Sequence, residues 1–138
     1  MLGTFAVLAI LGFGCGWLPA AAGEEGTVAV VYYWKAKDGK MEEYNRYIRE
    51  VAAPIDAEGQ RQGAFLSVTT YISQKKDSPW THMRVFILKD RDQANKLSAA
   101  LDAAGVRLEP DEAKRKARSE YAATLRDFVG QDLVEILK

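Results

Sequence analysis

The stretch Thr27–Lys35, TVAVVYYWK, is apolar or aromatic at nearly every position, which leaves neither side of it fit for water. β-branched and aromatic residues in a row are the composition of a strand. A strand apolar on both sides has to be covered on both sides, so a single sheet open to solvent is excluded. The turn residues Lys37-Asp38-Gly39-Lys40 follow, and the period then changes from two to helical. Met41, Tyr44, Ile48 and Val51 fall on one helix face, with Glu42, Glu43, Arg46, Arg49 and Glu50 elsewhere. Pro54 is expected to bend or interrupt this helix, which resumes over Asp56–Gln62 and stops at Gly63.

The pattern then repeats. Ala64–Ser73 and Trp80–Lys89 read as strands joined by the polar loop Gln74–Pro79. Asp90–Ala104 reads as a helix with Asp90 or Asp92 as its cap and Gly105 as its stop. A further helix is expected from Pro110 to about Val129, its apolar stripe made of Ala113, Ala117, Tyr121, Leu125 and Phe128, closed by Gly130. Asp132–Lys138 is the final strand. The order β-α-β-β-α-β predicts a ferredoxin-like α+β fold, a four-stranded antiparallel sheet with helices on one face. The first and third strands are expected to be central neighbours.

Residues 1–23 carry no charged side chain, and all the charge begins at Glu24. The run Phe5–Leu11, the breaker Pro19 and the small residues Ala20-Ala21-Ala22 have the layout of a secretory signal peptide cleaved after Ala22, although no Lys or Arg precedes the apolar run. Residues 23–138 would then be the exported domain. The same segment could be retained as a membrane anchor, or Cys15 could be lipidated, with only Gly14 matching a lipobox. The 19 basic and 19 acidic side chains balance, which argues against nucleic acid as a partner.

Alternation assigns the sheet faces. The aliphatic sets Ala29, Val31 and Tyr33, then Leu66, Val68, Thr70 and Ile72, then Met83, Val85 and Ile87, with Val134 and Ile136, are expected to meet the helices. The opposite face would carry Val30, Tyr32, Trp34, Phe65, Tyr71, Phe86 and Leu88, mixed with Ser67, Thr69, His82 and Arg84. So apolar a face needs a cover, and a second copy related by two-fold symmetry is the simplest one.

The opening VVYYWKAKDGK with the helix MEEYNRYIREV resembles the dimeric α+β barrel superfamily, which includes antibiotic-biosynthesis-monooxygenase-like small domains. The topology matches over residues 27–138 and the local motif over Lys37–Tyr44. The resemblance implies a homodimer, and a pocket between sheet and helices or inside the barrel. It also implies a choice of chemistries that includes oxygenases, isomerases and haem degradation.

His82 is the only histidine, and Arg84 shares its face. As a catalytic pair they would move a proton and orient an anionic substrate, while Tyr32, Trp34, Ser67, Thr69, Tyr71 and Phe86 would bind an apolar or aromatic small molecule. Such a domain would be a cofactor-independent monooxygenase-like or isomerase-like enzyme. The same residues serve equally as interface packing in a non-catalytic homodimeric module. No cofactor or metal is expected: His82 reads as a strand residue rather than a helix-borne haem ligand, and Asp56 and Glu58 lack ligand spacing. The basic run Lys114-Arg115-Lys116-Ala117-Arg118 is read as a solvated helix face, with phosphates or lipid headgroups as the other possible contact.

Overall fold

Antiparallel pairing around one long central strand organises the chain. The computed structural model describes residues 26–138; residues 1–22, read from the sequence as an export signal with cleavage, anchor and Cys15 alternatives, lie outside the described residues. Strand β1 (Val28–Ala36) pairs with β3 (His82–Leu88) on one side and β4 (Arg126–Glu135) on the other. Strand β2 (Ser67–Ile72) pairs with β3, giving the order β2-β3-β1-β4. Helices α1 (Met41–Tyr47), α2 (Ala53–Arg61), α3 (Arg91–Leu108) and α4 (Glu112–Leu125) fill the connections. The fold is the ferredoxin-like α+β class, with β1 and β3 central as the strand pattern predicts.

Pro54 does not break the first helical section. Five residues, Ile48–Ala52, widen into a π-helical turn, and Pro54 then stands in the first turn of α2. Its missing N–H falls where the wider turn gives way to α2, and that wider turn makes room for the ring. Gly63, at φ 79°, supplies the left-handed residue that closes α2. Gly105 does not stop α3, which runs on to Leu108 and is capped at its start by the Asp90 carboxylate accepting from the Gln93 N–H at 2.8 Å.

The end of the chain also departs from expectation. Helix α4 ends at Leu125, and the strand begins at once with Arg126 rather than at Asp132. Phe128 continues the helical spacing of Tyr121 and Leu125 by coincidence. The segment Arg126–Phe128 instead pairs with Ala36, Lys35 and Trp34 of β1, and a register shift next to Gly130 lets the strand continue. The buried stripe of α4 is Ala122 and Leu125, while Ala113, Ala117 and Tyr121 are exposed.

Relative to the sequence expectation the faces of β1, β3 and β4 are exchanged, whereas β2 turns Val68 and Thr70 to the helices as expected, so the error lay in how β2 was aligned with its neighbours. Val28, Val30, Phe86 and Leu88 form a core cluster with Phe65 and Leu97, and Tyr32, Val68, Ala94 and Leu101 pack against it. His82 and Arg84 reach α1 and α2 from this same face. In β2 it is therefore Val68 and Thr70, opposite Phe86 and Arg84, that turn to the helices. Ser67, Thr69 and Tyr71 turn away, beside Ile87, Val85 and Met83. The physical reason is that the helices supply polar partners as well as apolar cover. A strand face containing His and Arg is satisfied by Asn45 and Asp56, whereas the small uniform face Ala29, Val31, Val85 offers nothing for such groups. A second cluster, Ala36, Tyr44, Tyr47, Ala122 and Leu125, packs α1 and α4 against the other end of β1.

Candidate functional site

Strands β1 and β3 place Tyr32, Trp34, Arg84 and Phe86 side by side, because Tyr32 lies opposite Arg84 and Trp34 opposite His82 in the antiparallel register. Helix α3 crosses above them, and Arg126 stands beside them where α4 gives way to β4. A cleft of about 380 Å³, open to solvent, remains between these parts. Tyr32, Trp34, Arg84, Phe86 and Leu101 form its floor and walls, with Ser98, Asp102 and Arg126 completing the lining. Tyr32 meets Phe86 edge-on at 5.8 Å, and Phe65 supports Phe86 from behind at 5.0 Å. The cleft thus combines an aromatic wall of Tyr32, Trp34 and Phe86 with the polar groups Arg84, Ser98, Asp102 and Arg126, a mixture of apolar area and placed polar groups suited to a small molecule.

Two guanidinium groups face it, and they differ in state. Arg84 is buried and ion-paired with the equally buried Asp56 of α2 through a short contact, and its Nε donates to Thr70 Oγ1 at 3.3 Å. Burial pushes the Asp56 carboxyl above its usual range, while the Arg84 charge pulls the other way. Arg84 is therefore largely committed to holding α2 on the sheet. Arg126 is half-buried, and among the described residues it has no carboxylate partner. Its Cζ lies 3.7 Å from the centre of the Trp34 ring, and its Nη1 donates to Tyr44 Oη at 2.8 Å. Cation–π attraction holds the group in place without neutralising it.

His82 does not line this cleft. It has no solvent exposure and stacks edge-on with Tyr44 at 4.4 Å. Its Nε2 lies 2.8 Å from Asn45 Oδ1 and its Nδ1 2.8 Å from Thr81 Oγ1. With Asn45 Oδ1 as acceptor, the ring carries its proton on Nε2, and the Thr81 hydroxyl donates to Nδ1. Burial, helped by the charges of Arg126 and Arg84, lowers its pKa to about 4, so the ring is neutral at pH 7. Burial likewise raises the Tyr32 and Tyr44 hydroxyls above their usual value, which keeps both as donors.

Of the residues singled out in the sequence, Tyr32, Trp34, Arg84 and Phe86 come together. Ser67, Thr69 and Tyr71 lie on the opposite face of the sheet, and His82 sits beneath the cleft behind Tyr44. Arg126 and Asp102 were not visible as site residues: Arg126 falls within the span read as helix, and Asp102 is one of many acids on a helix. Asn45, a polar residue on an otherwise patterned helix, is the one legible sign of a partner for His82. Asp56 and Glu58 are both occupied by arginines. Glu58 accepts from Arg61 at 2.7 Å and from Arg107 at 2.6 Å, bonds that draw its carboxyl down to about 2 and tie α2 to α3. Among the described residues no cluster of three or more His, Cys, Asp or Glu could hold a metal ion, and no helix is long and apolar enough to cross a membrane.

No protein-family model matches the chain, and no curated protein matches it. Solved structures do resemble it. HapK from Hahella chejuensis superposes with a TM-score of 0.54 at 10% identity, covering 80% of this chain and 92% of its own. An EthD-like protein from Ralstonia eutropha JMP134 gives 0.50 at 14% identity, covering 83% of this chain and 95% of its own. At such identities the likeness is one of fold, over nearly the whole length of both neighbours.

Proposed function

We propose that the domain binds a small planar apolar or aromatic molecule in the cleft between β1, β3, α3 and Arg126. The observation that carries this is the cleft's lining of Tyr32, Trp34 and Phe86 with the uncompensated Arg126 guanidinium at its edge. An aromatic wall supplies area and stacking, and one free cation supplies orientation. The proposal includes a homodimer. The helix-free face presents Tyr33, Met83, Val85 and Ile87 only partly covered, Val134 is 42% exposed and Tyr71 is 50% exposed. A second copy of that face would bury them. It also includes export through residues 1–22, which rests on the sequence alone, with membrane retention through that segment as its alternative.

A catalytic version, a cofactor-independent oxygenase-like or isomerase-like enzyme, uses the same cleft. Its weaker element is His82, because a neutral imidazole enclosed by Tyr44, Asn45 and Thr81 has no path to a ligand. In the binding function His82 is a positioning residue, holding Tyr44, which in turn holds Arg126. The test is titration of the purified protein with 2-naphthol, followed by Trp fluorescence and calorimetry. Saturable binding is expected, weakened about tenfold or more in Trp34→Ala, in line with the worth of one stacked aromatic. Absence of binding, or equal affinity in Trp34→Ala, would overturn it.

A further inference from the structure

A second cleft, about 410 Å³, opens between α3 and α4 beside the first. The two share Leu101, Asp102 and Arg126 in their linings, so they adjoin, with these side chains at the boundary between them. Their chemistry differs. The first is aromatic. The second has Ile55, Val106 and Ala122 for apolar contact, with Arg115, Arg118 and Ser119 from one side of α4.

The basic run of α4 is therefore divided in two. Lys114 and Lys116 are exposed and lie 3.9 and 3.8 Å from Glu109 and Glu120. Arg115 and Arg118 turn inward and are half-buried. Arg115 is spent: its Nη1 donates to the carbonyls of Glu109 and Pro110 at 2.9 and 2.7 Å. Arg118 is not. Among the described residues it has neither a hydrogen bond nor an ion pair, and its Nη2 lies across α3, only 3.2 Å from where a Cβ on Gly105 would stand. A side chain at Gly105 would crowd that nitrogen. Arg118 and Arg126 are thus two guanidiniums without a carboxylate partner among the described residues, lining the two adjoining clefts, with Asp102, exposed at their boundary, as the single acid in either lining.

Building on the ring-binding function proposed above, we infer that the ligand is elongated and ends in an oxyanion, a carboxylate or phosphate, held by Arg118 together with Arg126. The ring lies on Tyr32, Trp34 and Phe86, and an apolar linker passes Leu101. Planar guanidinium forks suit both oxyanions.

The experiment is calorimetric titration of the whole protein with three probes sharing one ring and a four-methylene linker: 4-(1-naphthyl)butan-1-ol, 5-(1-naphthyl)pentanoate and 4-(1-naphthyl)butyl phosphate. In the unaltered protein the better oxyanion is expected to bind about tenfold tighter than the alcohol, the worth of a charge-assisted pair. Arg118→Gln should remove most of that advantage while leaving the alcohol's affinity within about twofold; Arg118→Lys should keep part of it, since charge survives but the fork is lost. Whichever oxyanion gains more identifies the end group. If the alcohol binds but neither oxyanion binds tighter, or if the advantage persists in Arg118→Gln, the inferred oxyanion subsite is overturned while ring binding stands. If none of the three binds, ring binding itself falls and the subsite with it.

Discussion

Acidification from pH 7 to pH 4.5 should destabilise this fold mainly through His82, since the depressed Glu58 carboxyl costs stability chiefly below that range, and the size of the effect follows from the surroundings of His82. A free histidine protonates near 6.5, whereas in the fold His82 resists until about 4. Between those values the unfolded chain binds a proton that the folded chain refuses, so stability falls as pH falls through this window and levels off below it. The full shift corresponds to about 3 kcal/mol, of which about 2 kcal/mol is lost between pH 7 and pH 4.5. The substitution His82→Gln removes the titration while keeping a polar side chain between Asn45 and Thr81. Urea unfolding of both proteins at the two pH values isolates the contribution, because Glu58 and Asp56 titrate equally in each. The variant is expected to be less stable than the natural protein at pH 7, but to lose about 2 kcal/mol less on acidification. Equal losses in the two proteins would refute the placement of His82 as a buried neutral imidazole.

Two further expectations concern assembly and address. Val85→Glu puts a carboxylate in the middle of the helix-free face, where a second copy would have to bury it; sedimentation velocity should show a dimer in the natural protein and a monomer in the variant. A natural protein that stays monomeric at micromolar concentration would remove the dimer from the account. Amino-terminal sequencing of protein recovered from its native source should begin at Gly23; a chain beginning at Met1, or blocked at a lipidated Cys15, would replace cleavage with one of its alternatives.

The element order, the central pairing of β1 with β3 and the grouping of Tyr32, Trp34 and Phe86 with Arg84 could all be read in the sequence, since they depend on local period and on which strands lie next to each other. The rule that the most aliphatic set meets the helices placed β2 correctly but not β1 and β3. That rule neglects side chains that the helices themselves bring. His82 and Arg84 are polar, yet both are buried against the helical layer because Asn45 and Asp56 meet them there. Only the spacing from β3 to those helices in three dimensions shows this. Arg126 escaped for a different reason: helical periodicity through Tyr121, Leu125 and Phe128 concealed the boundary at which α4 gives way to β4. A residue at such a junction has its direction set by the strand it starts. The basic run of α4 was legible as charge but not as two groups, because which lysines and arginines turn inward depends on where α3 lies.

The central claim, a ligand cleft between the helices and the β1–β3 pair, is tested most directly by mapping 2-naphthol onto the amide ¹H–¹⁵N spectrum of the protein. Shifts confined to Tyr32, Trp34, Arg84, Phe86, Ser98, Leu101 and Arg126 are the predicted result. Shifts concentrated instead on Tyr33, Thr69, Tyr71 and Val85, on the helix-free face, would contradict it.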